Sequence, residues 1–342
     1  MTSLQHPIGS GFSAANTALD IIHGIHGIDG TDGTDGIDLS GRTAVVTGGH
    51  SGIGLETTRA LSAAGATVVV PVRCPDKARA RLAGIDRVEI AHLDLIDPVS
   101  VDRFADDLLA AKRPVHILVN SAGIMRVPLT RDARGYEAHF ATNHLGHFQL
   151  AVRLWPALRR AQGARVVAVS AWAHRLSPVH LDDPNFDRRP YDEWMGYAQS
   201  KTANILFALD LDRRGEPDGI RGFSLHPGSI ITTDLSPWAT DTDRRAMNLI
   251  DDRGEPIIDP ERGAKTAEQG ASTSVWCATS PQLDGYGGVY CENNDISPLA
   301  ADDDTVEGRT SWPVGVAPHA IDPGTAADLW DLSERLTGAR PA

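Results

Sequence analysis

The chain has 342 residues, 41% of them hydrophobic, and a formal net charge of −13. This length can bury one large core, and one α/β domain with extensions is the simplest arrangement. The acidic balance argues against nucleic-acid partners and anionic membrane surfaces, which are usually bound by basic surfaces. The start of the chain lacks a secretory signal pattern, and no apolar run reaches membrane-spanning length. We therefore expect a cytoplasmic protein with neither nucleic-acid nor membrane partners.

The three cysteines, Cys74, Cys277 and Cys291, do not have the spacing of a zinc site. We expect buried apolar thiols in a reducing compartment, without a disulfide framework. No metal is expected in the candidate site.

Residues 1–38 are predicted to form an N-terminal arm and a linker. Ser13 is a candidate cap for a short helix over residues 14–22. From Ile22 to Gly36 a three-residue unit repeats, IHG IHG IDG TDG TDG, which is too short for collagen and too glycine-rich for an ordinary helix or strand. A flexible linker is the main interpretation, and a metal site on its His and Asp residues is the alternative.

After Leu39, apolar runs alternate with amphipathic segments. Seven strands are predicted, at residues 43–46, 67–72, 88–92, 116–120, 165–169, 222–226 and 289–291. Six helices are predicted, at residues 53–64, 77–82, 99–111, 135–160, 197–213 and 264–279. Strands rich in Val and Ile that alternate with helices indicate a parallel sheet covered on both faces. Residues 39–292 are therefore predicted to form one α/β domain, a doubly wound Rossmann sheet of seven strands.

Two inserts interrupt this alternation, at residues 175–193 and 233–262. Both follow strand ends, the edge at which open α/β sheets bind ligands. They are candidate walls of a substrate pocket, with solvated loops as the alternative. Residues 293–342 are expected to be an extension that wraps the domain.

The first strand runs directly into TGGHSGIG, residues 47–54. Glycines at 48, 52 and 54 allow a tight turn, close approach of a pyrophosphate and helix packing, while exposed N–H groups attract the anion. The strand, turn and helix context makes this a strong prediction of dinucleotide binding.

Four further motifs follow in order: NSAG at residues 120–123, NHLGHF at 143–148, YAQSK at 197–201 and HPGSIITT at 226–233. With the glycine motif, they make residues 38–291 resemble the short-chain dehydrogenase/reductase family, most closely its retinol-dehydrogenase-like branch. The resemblance implies an oxidoreductase that uses a nicotinamide cofactor.

Tyr197 and Lys201 are four residues apart on a predicted helix and share a face. An ammonium beside a phenol lowers the pKa of the phenol, so we expect Tyr197 to exchange a proton with the substrate oxygen near neutral pH. The resemblance adds Lys201 as a ribose ligand and Asn143 as the holder of a relay water. The cofactor-binding residues that the resemblance implies are Gly48, His50, Ser51, Gly52, Ile53, Gly54, Arg73, Asp94, Leu95, Asn120, Ala122, Gly123, Tyr197, Lys201, Pro227, Gly228, Ile230 and Thr232.

The second strand leads to Arg73, where family members that use NAD usually carry an acid. A guanidinium suits the 2′-phosphate of NADP through a bidentate contact. We therefore expect NADP(H) in preference to NAD(H).

The strand VVAVSAWAH, residues 166–174, departs from the family pattern. The pattern has two serines, of which the second binds the substrate oxygen, and alignment puts Ser170 at the first and Ala171 at the second. Successive side chains on a strand point to opposite faces, so Ser170 can replace the missing hydroxyl only through a bulge or a slip. Ser170 is retained on that basis as a fourth candidate catalytic residue beside Tyr197, Lys201 and Asn143.

Two further interpretations of Ala171 stay open. Another donor near the insert could orient the substrate, with His174, Tyr191, Trp172 and Trp194 as candidates. However, His174 is expected to cap the local turn, and both tryptophans are expected to be packing residues. Alternatively, the reaction needs no serine, as in C=N or C=C reduction or a redox-neutral rearrangement or cyclisation.

The leading hypothesis is an NADP(H)-dependent oxidoreductase that interconverts a carbonyl and an alcohol on a small, largely apolar substrate. A nucleotide-binding protein without turnover is the alternative from another class. A homodimer is also left open, because the two long helices resemble the family's dimer-forming pair while the inserts could block that face.

Overall fold

The computed structural model describes residues 4–24, 36–230, 235, 240–246, 249–301 and 314–342. Most of the glycine repeat, parts of the second insert and the predicted cofactor residue Thr232 lie outside the described residues.

The described strands form one sheet in the order β3-β2-β1-β4-β5-β6-β7-β8. Their bounds are β1 Thr43–Thr47, β2 Thr67–Val72, β3 Val88–His92, β4 Ile117–Asn120, β5 Ala164–Val169, β6 Ile220–His226, β7 Val289–Glu292 and β8 Asp295–Ile296. Neighbouring strands from β3 to β7 run parallel, and the order reverses direction between β1 and β4. This is the predicted doubly wound Rossmann fold. The predicted count of seven strands was one too low, because the two-residue strand β8 folds back antiparallel on β7.

The helices pack on both faces of the sheet and bury two apolar clusters against it. Their bounds are α1 Ala18–His23, α2 Gly52–Ala63, α3 Pro75–Leu82, α4 Pro98–Ala110, α5 Gly146–Arg153, α6 Trp155–Arg160, α7 Glu193–Gly215, α8 Asp241–Ala246, α9 Ala267–Thr279 and α10 Pro323–Thr337. Because the core lies on both faces, the strand ends are left to form the site.

The segment predicted as one helix over residues 135–160 is divided. Gly135 has a φ of 89° and belongs to a turn, after which a π-helix covers Phe140–Leu145 and leads into α5. Pro156 lies in the first turn of α6, where its missing N–H costs no helical hydrogen bond. The prediction of continuity was wrong because the apolar period does not reveal these local changes of winding.

The N-terminal arm is part of the fold. Helix α1 starts later than predicted: its cap is Thr17, which forms a capping box with Asp20, rather than Ser13. Ile21 and Ile22 are buried in the cluster beneath α2 and α9. Gln5 pairs with the Tyr290 backbone in both directions, donating to its carbonyl (2.8 Å) and accepting from its N–H (3.0 Å).

The C-terminal segment ends in α10, which packs along α7. Trp330 of α10 stacks on Phe207 of α7 (centroid distance 6.1 Å) and meets Phe148 of α5 edge-on (4.9 Å). The α5 and α7 face, expected to be available for a homodimer or blocked by an insert, is therefore covered in part by α10.

The cysteines are divided: Cys277 and Cys291 are buried as expected, whereas Cys74 is exposed. Among the described residues, every helix is too short or too polar to cross a lipid bilayer.

Candidate active site

The turn after β1 has the geometry expected of a dinucleotide loop. Gly48 and Gly52 have φ values of 68° and 51°, a region that L side chains rarely adopt. A Cβ at Gly48 would lie 3.1 Å from the Ala122 Cα, so only glycine lets the loops after β1 and β4 approach this closely. Ser51 precedes α2 without capping it through its side chain, which leaves the N–H groups of the first turn to an anion.

The end of β4 carries an unsatisfied amide. The Asn120 side chain is 1% exposed, and neither its oxygen nor its nitrogen has a hydrogen-bond partner among the described residues. Leaving a buried amide unpaired costs about 1–3 kcal/mol. A bound ligand with polar edges would remove this cost, so the residues present fit a dinucleotide between the two loops.

Gly123 brings the next two predicted residues together. A Cβ there would lie 3.2 Å from the Asn143 Oδ1 and 3.6 Å from the Lys201 Nζ. The loop after β4, the π-helix and α7 therefore meet at one point, where the sequence motifs predict the nicotinamide end of the cofactor.

Tyr197 and Lys201 lie one turn apart on α7 and are both buried. The Lys201 Nζ is 5.6 Å from the centroid of the Tyr197 ring and donates to the Val169 carbonyl (3.0 Å). Burial lowers the pKa of Lys201 to about 8. Burial raises the pKa of Tyr197 well above its usual value, contrary to the lowering expected from Lys201. The Lys201 ammonium thus lies over the Tyr197 ring and is hydrogen-bonded to the main chain at the end of β5.

Hydrogen bonds fix Asn143 through both its side chain and its main chain. Its Oδ1 accepts from the Ile124 N–H (2.9 Å), and its Nδ2 donates to the Ile124 carbonyl and to the Ser200 Oγ (both 3.0 Å). Its own carbonyl accepts from the Nδ1 of His147 (2.9 Å). The expected relay residue is thus fixed in place.

The Ser170 hydroxyl is turned away from Tyr197. It is 2% exposed and donates to the main-chain carbonyl of Lys201 (2.7 Å). Ala171 has extended backbone angles and packs against the small cluster of Tyr197, Ala173 and Ala198. These contacts agree with the direct alignment, in which Ser170 takes the first serine position and Ala171 the second. They do not show the bulge or slip that would turn the Ser170 hydroxyl toward the substrate.

Two of the other candidate donors are engaged elsewhere. His174 is buried, with Nδ1 donating to the Ala171 carbonyl (2.8 Å) and Nε2 accepting from Ala317 N–H (3.1 Å). The Tyr191 hydroxyl donates to the Val127 carbonyl (2.8 Å). Trp172 is buried, and Trp194 is half-buried beneath the Arg126 guanidinium (5.2 Å).

The loop after β6 reaches the glycine turn through α9. A Cβ at Gly270 would lie 2.8 Å from Ile230 and 3.0 Å from Ile53, so both predicted residues pack on this glycine. Gly228 has a φ of 94°, and its Cβ position would be 2.8 Å from the Lys265 side chain. Pro227 is buried next to it.

The remaining predicted residues lie at neighbouring strand ends. Arg73 is exposed directly after β2, and Leu95 is buried after β3. The Asp94 N–H donates to Ser100 Oγ (2.9 Å). His50 is half-buried in the glycine turn.

One buried group behind the site was not predicted. Glu137 accepts from the N–H groups of His139 (3.0 Å) and Phe140 (2.8 Å) and from His139 Nδ1 (2.7 Å). The His139 ring lies edge-on to Tyr197, with 6.1 Å between centroids. An acid just before an apolar helical run is a capping signal that could have identified Glu137.

A glycine turn at the switch point of a doubly wound sheet, with a buried tyrosine and lysine one helical turn apart, defines a dinucleotide-binding oxidoreductase class. The chain matches the family model described as short chain dehydrogenase over residues 42–243. It belongs to the short-chain dehydrogenase/reductase family.

Three comparisons show what kinds of protein the chain is similar to. A protein named "Probable oxidoreductase" from Streptomyces lividans is 46% identical over 301 residues, covering 86% of this chain and 97% of that protein. Retinol dehydrogenase 12 from Homo sapiens is 34% identical over 310 residues, 89% of either chain. The crystal structure of a putative uncharacterized protein from Mycobacterium Paratuberculosis has a TM-score of 0.67 at 33% identity, covering 89% of this chain and 96% of that one.

Proposed function

We propose that the protein is an NADP(H)-dependent oxidoreductase that interconverts a carbonyl and an alcohol on a small, largely apolar substrate. The observation that carries the proposal is the buried pair Tyr197 and Lys201, which meets Asn143 and Gly123 at the switch point of the sheet. Oxidoreductase activity also agrees with the name of the Streptomyces relative.

Tyr197 would act as the acid in carbonyl reduction. A bound nicotinamide cofactor would supply the hydride to the carbonyl carbon. The Tyr197 hydroxyl would give its proton to the carbonyl oxygen, so that the alcohol O–H forms and a phenolate is left. Lys201, with a pKa of about 8, is protonated at neutral pH and would stabilise this phenolate once it moves toward the oxygen. Alcohol oxidation reverses each step.

The residues at the glycine turn, Asn120 and Gly123 would hold the cofactor, with the Asn120 carboxamide gaining the partners it lacks. Arg73 supports NADP(H) over NAD(H), because an exposed guanidinium directly after β2 is free to meet a 2′-phosphate. The preference rests on this single charge.

The substrate wall supports an apolar substrate. Met125, Ala171 and Trp194 are half-buried and pack around the cluster that contains Tyr197 and Ala173. Methyl, thioether and indole groups offer little to a strongly polar substrate. We therefore expect the site to discriminate between hydrophobic carbonyl substrates of equal reactivity by their shape rather than by polar contacts.

Ala171 favours a second candidate function. Ser170, His174 and Tyr191 all direct their polar atoms to backbone groups, so among these residues none offers a hydroxyl or imidazole to a substrate oxygen. A C=N or C=C reduction, or a redox-neutral rearrangement or cyclisation, would need no such donor. A binding protein without turnover is the remaining alternative.

The deciding experiment measures NADPH and NADH binding by calorimetry and then follows NADPH absorbance and product formation together with a panel of small apolar carbonyl compounds. NADPH consumption that is lost in Tyr197→Phe, with NADPH binding kept, supports carbonyl reduction. Product without absorbance change supports redox-neutral chemistry. Absence of binding to either nucleotide would refute the proposal.

A further inference from the structure

His147 lies behind the site, on α5, and joins its elements. The side chain is 2% exposed. Its Nδ1 is 2.9 Å from the Asn143 carbonyl, and its Nε2 is 2.9 Å from the Thr47 hydroxyl. One imidazole thus touches the last residue of β1 and the π-helix that carries Asn143.

The hydrogen bonds fix the state of the ring. A carbonyl can only accept, so Nδ1 must carry the proton and Nε2 must accept from the Thr47 hydroxyl. Burial, together with the nearby Lys201 charge, lowers the pKa of His147 to about 4. The imidazole is therefore neutral with its proton on Nδ1.

Thr47 extends the chain of contacts to the loop after β4. Its hydroxyl oxygen accepts from the N–H groups of Ser121 (2.9 Å) and Ala122 (3.1 Å). This hydroxyl has one proton, and the Val119 carbonyl, its other acceptor, is farther away at 3.4 Å. The hydrogen bond to His147 therefore sets the orientation of the Thr47 hydroxyl toward the loop.

We propose that His147 is a positioning residue that sets the spacing between Asn143 and the loop at Ser121 and Ala122. This inference rests on the proposed function, in which that loop lines the cofactor and Asn143 supports the proton transfer. The two ring nitrogens have separate tasks: Nδ1 holds Asn143, and Nε2 holds the loop through Thr47.

Two amide substitutions separate these tasks. In His147→Asn, the amide nitrogen can take the place of Nδ1 and keep Asn143, while Thr47 loses its partner. In His147→Gln, the longer side chain reaches Thr47, while the Asn143 carbonyl loses its donor. We expect His147→Asn to raise the KM for NADPH about 10-fold with kcat kept, and His147→Gln to lower kcat about 10-fold with KM kept.

His144 supplies a matched control. It is a buried histidine of the same motif, but its Nε2 bonds to Ser333 Oγ on α10 (2.7 Å), away from the cofactor loop. His144→Asn should lower thermal stability without the split between KM and kcat.

A cofactor-free measurement separates this proposal from the function. Amide hydrogen exchange of the full chain reports directly on the Ser121 and Ala122 N–H groups that Thr47 accepts. Faster exchange there in His147→Phe, at least 10-fold and absent in His144→Asn, supports the positioning role even if the wild-type protein binds no nucleotide. Equal exchange in both variants, or equal shifts of KM and kcat in all three His147 variants, would overturn it.

Discussion

Ser170 donates its hydroxyl to the main-chain carbonyl of Lys201, which ties the end of β5 to the helix that carries the lysine. Ala171, one residue later, packs toward Tyr197 instead. The alternation of strand side chains therefore assigns the two positions to opposite sides. A new hydroxyl at 171 would enter the site, while the hydroxyl at 170 supports it from behind.

Ala171→Ser should raise kcat for carbonyl reduction by up to about 100-fold, because one oriented donor is worth 10²–10³ in other enzymes. The measurement is the steady-state rate of NADPH oxidation with a reducible carbonyl compound. Ser170→Ala is the control: it should cost about 1 kcal/mol of unfolding free energy and leave kcat within a few-fold. Loss of turnover in Ser170→Ala with no gain in Ala171→Ser would point to a slipped strand.

The pH dependence of reduction should follow Lys201. Its pKa is lowered to about 8 by burial, so the cation that favours the Tyr197 phenolate is present below pH 8 and is lost above it. We expect kcat/KM for reduction to fall as pH rises through about 8. In Lys201→Arg the charge persists, since a guanidinium stays protonated throughout this pH range, so the profile should stay flat there at a lower rate. Identical profiles for the two proteins would assign the titration to another group.

Arg73→Ala should weaken NADPH binding about 10- to 100-fold and leave NADH binding unchanged, because only NADPH carries the 2′-phosphate. Arg79→Ala is a suitable control, since Arg79 is an exposed arginine on α3 whose partner is Asp76. Calorimetry with both nucleotides measures the effect. Equal Kd values for NADPH in the two variants would remove the main support for NADP(H).

Stability should fall in acid because of buried histidines. Burial lowers the pKa of His147 to about 4 and those of His144, His174 and His226 to about 3, whereas the unfolded chain takes up these protons near pH 6.5. The unfolded state therefore binds more protons below pH 6.5, and the free energy of unfolding decreases down to about pH 4. Each histidine contributes up to about 1.4 kcal/mol per pH unit in that window. The raised pKa of buried Glu292 acts in the opposite direction.

Urea unfolding at pH 7.0, 6.0 and 5.0 tests this expectation. The midpoint should fall at each step, and the slope should be smaller in His144→Asn, which lacks one of the four groups. A midpoint that does not change with pH would show that these imidazoles are already exposed to protons in the folded chain.

The fold was predictable because its signals are local and repeated. Thr43, Thr67 and Val88 begin strands where the apolar runs begin, and Gly48 marks the turn that a dinucleotide needs. Tyr197 and Lys201 follow from spacing on one helix. In each case a single stretch of sequence contains all the residues on which the prediction depends.

The features that escaped prediction depend on partners distant in sequence. His147 acts through Thr47, 100 residues earlier, and Glu137 through the turn into the π-helix. The high pKa of Tyr197 comes from burial by several elements and overrides the effect expected from Lys201. Spacing along the chain indicates neither the burial of a group nor its distant partners.

The hydrogen bonds of Gln5 also constrain how the chain is made. Gln5 is synthesised before its partners Tyr290 and Ser297, which follow 285 and 292 residues later. Until β7 and β8 have been synthesised, the arm therefore lacks the edge of the sheet to which it binds. Contacts this distant in sequence close late. The sheet can gain its final edge, and the arm its final position, only after β7 and β8 have been synthesised.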